Sequence, residues 1–184
     1  MANKVKYGLS QCYYAKITTA ADGTVTYGTP VALPGAVNLS LSAEGDRNVF
    51  YADNIAYWQS WSNNGYSGSL ELALIPDSFK TDILGYATGT NGIMVEKADV
   101  QPEEFALLCQ FEGDESARRH VLYRCQPGRP DVASATVGES IEPQTETINL
   151  TVLPRIADHI TKGSAGSTAS AYANWFTAVQ EPVL

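Results

Sequence analysis

The sequence predicts a mostly β protein: an antiparallel β-sandwich or barrel-like fold with one short flanking α-helix, a long loop and a C-terminal arm. Three observations carry this expectation. Apolar residues recur at every second position in separate segments such as "VNLSLS" and "TINLTV", the period of a strand with one buried face. β-branched and aromatic residues gather in these segments, with Gly, Pro, Asn and Asp between them. Helical spacing with a start and a stop signal is clearest at about residues 76–85. A chain of 184 residues suits one domain with a core of its own, here residues 1–155, followed by an arm at 156–184.

Each element has its own warrant. "YGLSQCYYAKITT" and "TVTYGTPVAL" read as a hairpin turned by "AADG". Val37, Leu39 and Leu41 then share one face of a strand, opposite Asn38, Ser40 and Ser42. From 43 to 65 no period holds, and Gly45-Asp46, Asp53-Asn54 and Asn63-Asn64-Gly65 punctuate the stretch, so a long irregular loop is expected. Strand spacing resumes through Tyr66, Leu70, Leu72 and Leu74. Pro76 then opens a short helix whose apolar side is Phe79, Ile83 and Leu84, with Gly85 at its end.

"EEFALLCQF" and "RRHVLYRCQ" flank "EGDES" as a second hairpin. With its turn at Asp114, Leu107 faces Val121 and Phe105 faces Tyr123. A last strand alternates through Ile148, Leu150 and Val152. Beyond Pro154 the small residues of "GSAGSTASAY" lead to "AYANWFTAVQEPVL", a brief helix with Trp175, Phe176 and Val179, which reads as an arm with an anchor.

The formal charge of -8 is uneven. Residues 42–115 hold thirteen acids against Arg47, Lys80 and Lys97, whereas residues 116–184 balance six against six. An acidic surface repels phosphate, which disfavours nucleic-acid binding but permits contact without adhesion. No apolar run approaches the length of a membrane helix, and no apolar stretch follows Lys4 and Lys6, so neither a membrane span nor a secretion signal is expected.

Chemistry is not announced. Cys12, Cys109 and Cys125 lack any C-x-x-C spacing and any nearby histidine pair, and they read as reduced, small apolar side chains rather than a metal site. His120 and His159 stand in no nucleophile elbow or zinc helix, and His120 is expected on the polar side of its strand. Glu103-Glu104 and Asp114-Glu115 form no glycosidase dyad, and no glycine loop precedes a helix with a lysine. No catalytic, cofactor-binding or metal-binding residue is therefore assigned, and the chain is not expected to be an enzyme.

What stands out is aromatic density: Phe50, Tyr51, Tyr57, Trp58, Trp61 and Tyr66 fall within seventeen residues. Such rings can stack on sugars, helped by Asp53 and Asn63, can cap a core, or can anchor a protein interface. A carbohydrate-binding β-sandwich using residues 50–66 is the alternative reading.

The order of features resembles the major tail protein, or tail tube protein, of long-tailed bacteriophages. The likeness covers residues 5–155, and its most particular words are "YADN" and the strand-to-helix passage "YSGSLELALIPDSFKTDILGY". It implies a tail tube fold, hexameric rings stacked into a tube, and genomic DNA passing through without specific binding. Partners would be the chain itself and other tail proteins such as the tape measure and tail terminator, with no membrane. The protein would reside in the virion after assembly in the bacterial cytoplasm. Inter-subunit contacts would come from the loop, through Asp46, Arg47, Phe50, Tyr51, Asp53, Tyr57, Trp58 and Trp61, and from the arm, through Tyr172, Trp175 and Phe176. Glu71, Glu103 and Asp114 are the acids expected along the lumen.

Overall fold

A computed structural model describes residues 3–138, 140 and 142–183; the outermost residues of the expected domain and arm, Met1, Ala2 and Leu184, lie outside this range. Thirteen strands occur among the described residues: β1 (Lys6–Thr19), β2 (Val25–Tyr27), β3 (Val31–Ala32), β4 (Ala36–Glu44), β5 (Arg47–Ala52), β6 (Ile55–Trp61), β7 (Gly65–Leu72), β8 (Ala87–Thr88), β9 (Met94–Val95), β10 (Phe105–Gly113), β11 (Arg118–Pro127), β12 (Glu146–Val152) and β13 (Lys162–Ala165). One α-helix, α1 (Asp77–Asp82), lies between β7 and β8, and a 3-10 turn spans Ser170–Tyr172. The fold is mostly β and antiparallel with one short helix, as the alternating segments require.

The main sheet runs β2-β1-β10-β11-β12-β7-β4, with β3 paired to β1 and β13 paired to β11. It rolls up because β3 sits on β1 at Tyr13↔Ala32, and the buried Leu33 then carries the chain straight into β4 at the other end of the path. Leu9 of β1 and Leu39 and Leu41 of β4 consequently pack on one core. That core is built from Leu70 and Leu72 of β7, Leu107 of β10, Leu122 of β11, and Ile148, Leu150 and Val152 of β12. Helix α1 plugs it: Phe79 is fully buried, edge-on to Tyr14 at 5.1 Å and to Phe105 at 5.2 Å.

Several local expectations are corrected. The predicted helix at 76–85 is regular only over Asp77–Asp82, although Ile83 and Leu84 are buried beyond it. Val37 does not share the core face of its strand: a bulge between Ala36 and Asn38 turns it outward and brings Ala36 onto the core instead. Leu74 follows the end of β7 and is exposed. In the β10–β11 hairpin Leu107 pairs with Leu122, because the ladder from Phe111↔Arg118 onward centres the turn between Asp114 and Glu115 rather than on Asp114, and a further register shift between Phe105 and Leu107 pairs Phe105 with Cys125. Leu122 thus joins the central core, while Val121 and Tyr123 face the other way.

Candidate functional site

The segment expected as an irregular loop at 43–65 is a β-ribbon. β4 and β7 pair as far as Glu44↔Gly65, and β5 and β6 pair from Arg47↔Trp61 onward. Hydrogen bonds bridge the gap: Asn64 N–H donates to the Glu44 carbonyl at 2.9 Å, Ser62 N–H to the Asp46 carbonyl at 2.9 Å, and Asp46 N–H to the Ser62 hydroxyl at 2.8 Å. The body's own ladder therefore runs almost unbroken into the β5–β6 hairpin. Strands of six and seven residues give it a length of about 20 Å. Asp53 and Asn54, at φ of 51° and 59°, form the two-residue tip that matches strand twist in tight hairpins.

Two glycines make the junction possible. A Cβ on Gly45 would lie 2.1 Å from the Ser62 carbonyl oxygen. Gly65 adopts φ +93°, and a Cβ there would meet the Val152 carbonyl oxygen at 1.9 Å.

The hairpin hides little of itself. Phe50, Tyr51, Tyr57, Trp58 and Trp61 are 56–70% exposed, and Ile55 at the tip is exposed as well. Asp46, Arg47 and Asp53 are exposed beside them, with Arg47 Nη2 donating to Gln59 Oε1 at 3.0 Å. Tyr66 does not belong to this set: it is half-buried at the root of β7, under Lys162. So many large rings on an isolated two-stranded ribbon is more than a monomer ordinarily presents to water.

The C-terminal segment, expected as an arm with an anchor, lies back on its own chain. β13 adds to β11 from Arg119↔Ala165 to Leu122↔Lys162, and the residues after it lie over the outer face of β1, β10 and β11. Trp175 is 4% exposed, packed with Ala106, Leu108, Val121 and Tyr123, and its indole N–H donates to the His120 carbonyl at 3.2 Å. Phe176 stacks on Tyr13 at 4.8 Å, and the Arg119 guanidinium lies over both Tyr172, at 3.9 Å, and Phe176, at 4.7 Å. Tyr123 donates to the Gln180 carbonyl at 2.8 Å. Arg155 ties the segment at its other end, bonding Asp158 and Glu181 while lying over the Tyr123 ring; it holds the Asp158 carboxyl below its ordinary range. Trp175, Phe176 and Tyr172 are thus engaged within their own chain. This covering also explains why every residue from Phe105 to Gln110 is buried, where alternation suggested one wet face.

Glu71, Glu103 and Asp114 are not gathered. Glu71 accepts from Thr145 Oγ1 at 2.6 Å, Asp114 accepts from the Lys4 N–H at 2.9 Å, and Glu103 precedes β10 at the end opposite Asp114, about 30 Å away along the strand. His120, expected on a wet face, is half-buried with its ring 4.4 Å from Phe111. The cysteines are all buried and unbridged, and burial pushes the thiols of Cys12 and Cys125 up to about 12. Among the described residues no group of three or more His, Cys, Asp or Glu could hold a metal ion, and no helix is long and apolar enough to cross a membrane.

The site is thus a rolled antiparallel body that extends its own ladder into an exposed aromatic ribbon. The model of the phage tail tube protein family matches residues 2–108, more than half of the sequence, and the chain belongs to that family. It is therefore a structural component of a phage tail. No curated protein matches the chain.

Proposed function

We propose that this chain is the subunit of the tail tube, assembling with itself into hexameric rings that stack into the conduit for genomic DNA. The observation that carries the reading is the β5–β6 hairpin, whose rings are left in water by the single chain. Burying an aromatic side chain of this kind contributes on the order of 1.5–3 kcal/mol, so five of them leave a large driving force for association. Asp46, Arg47, Phe50, Tyr51, Asp53, Tyr57, Trp58 and Trp61 are the contact residues on this reading. Tyr172 and Phe176, half-buried, supply at most the rim of a second contact, with Trp175 supporting them from beneath.

The free backbone edges of β5 and β6 favour the same role, since an unpaired edge is a template for another chain. The acidic middle of the sequence suits a lumen along which phosphate slides, with Glu71, Glu103 and Asp114 as candidates for its wall. Tape measure and tail terminator proteins are the partners such a tube requires, and assembly belongs to the host cytoplasm.

Negative-stain microscopy of concentrated protein tests this reading, with rings or tubes of one diameter expected for the wild type. Trp58→Ala with Trp61→Ala is expected to shift them to a concentration about tenfold or more higher, while leaving the melting temperature of the body within a few degrees. A protein that stays monomeric at every concentration and ionic strength, or a double variant that assembles normally, counts against the proposal. Glycan binding lost in the same variant, with assembly intact, would favour the carbohydrate reading.

A further inference from the structure

Beside the root of the hairpin the body carries an open groove of about 700 Å³, within the roughly 300–1,000 Å³ of surfaces that accept a sizeable guest. Leu39, Leu41, Tyr66, Phe111 and Leu122 line it, and four of these five are only half-buried, an apolar floor that the Lys6 and Lys162 side chains cover only in part. The charged groups at its rim are Lys4, Lys6, Arg118 and Lys162 against Glu112, four bases to one acid for a formal +3 in a protein whose total is -8. Two of the cations flank rings: Lys162 Nζ lies 4.5 Å from the Tyr66 centroid and Lys6 Nζ 5.7 Å from that of Phe111.

The hairpin is the complement of this surface. It offers Phe50, Tyr51, Tyr57, Trp58 and Trp61 as apolar matter, and from Glu44 to Trp61 it carries Glu44, Asp46 and Asp53 against Arg47, three acids to one base. Its own groove is out of reach. The bonds at Glu44–Asn64 and Asp46–Ser62 tie the hairpin to the ends of β4 and β7, and Tyr66 at the groove immediately follows the junction, so folding back would break those bonds.

We propose that the groove floored by Leu39, Leu41, Tyr66, Phe111 and Leu122 receives the β5–β6 hairpin of a second copy of this chain, with Asp46 and Asp53 facing the rim formed by Lys6, Arg118 and Lys162. The inference rests on the self-assembly reading above and supplies its receptor. Because donor and receptor are different surfaces of one molecule, the contact is head-to-tail and repeats, which closes rings or extends a stack. Charge opposition across it sets register and excludes wrong pairings.

Two full-length variants test the pairing. Arg118→Glu with Lys162→Glu blocks the receptor, and Trp58→Ala with Trp61→Ala blocks the donor. Each alone is expected to raise the concentration at which assemblies form by about tenfold or more, the effect of about 1.4 kcal/mol lost at a contact. Mixed in equal amounts they are expected to give a stable one-to-one complex by sedimentation and nothing larger, since only one intact donor and one intact receptor remain. Should the receptor variant fail to fold, a photocrosslinking side chain in place of Trp58 in the otherwise unchanged protein gives the answer. Crosslinks at twice the subunit mass that map to residues 109–122 support the groove. Wild-type tubes accompanied by normal assembly of the receptor variant, or by crosslinks mapping elsewhere or only within one chain, overturn the groove while leaving the tube reading standing. A wild type that never assembles overturns both.

Discussion

Gly45 faces Ser62 across the base of the aromatic hairpin so closely that any side chain at residue 45 would collide with the Ser62 carbonyl, 2.1 Å from an added Cβ. The contact joins the body's ladder to the ribbon. Gly45→Val is therefore expected to force the two strands apart and tilt the hairpin. Body stability should change by no more than about 1 kcal/mol, since the junction is exposed, while assembly is lost. Denaturant titration beside negative-stain imaging checks both halves; rings at wild-type concentration would show that the hairpin's direction is immaterial.

Trp175 makes the opposite kind of bond, inward. Trp175→Ala removes a ring that is 4% exposed together with the indole N–H bond to the His120 carbonyl. The expected cost is about 3–5 kcal/mol of unfolding free energy. By the same reasoning, deletion of residues 156–184 should strip β11 of β13, bare the face around Leu108 and Tyr123, and lower stability severely. A truncated chain that melts like the full protein would show that the segment is only an appendage.

His120 links stability to pH. Burial, with Arg118, Lys162 and Lys6 adding repulsion, pushes its imidazole from 6.5 down to about 4. Between those values the unfolded chain binds a proton that the folded chain refuses, so stability should fall as pH is lowered from about 6.5 towards 4 and this contribution should level off below. Thermal melts of the wild type and His120→Gln across the window provide the measurement. The variant should show a shallower decline, and identical slopes would remove His120 as the cause.

Much of the sheet was legible because alternation is a direct imprint of half-burial: Leu70, Leu72, Ile148, Leu150 and Val152 all point where their spacing places them. The hairpin was not legible as strands, since residues 47–61 are wet on both faces and nothing selects a period. Its one local signal was Asp53-Asn54, a two-residue turn between β-prone flanks. β10 misled for the converse reason, being dry on both sides.

By itself the sequence determined an antiparallel β protein with one helix at Phe79 and an aromatic cluster at 50–61, because period, turn chemistry and side-chain type act over a few residues. Only the tertiary structure decided that this cluster stands clear of the body while Trp175 is sealed into it. Both stretches are aromatic, and what separates them is distant: the outer face of β10 and β11 covers one, and among the described residues no other element covers the other.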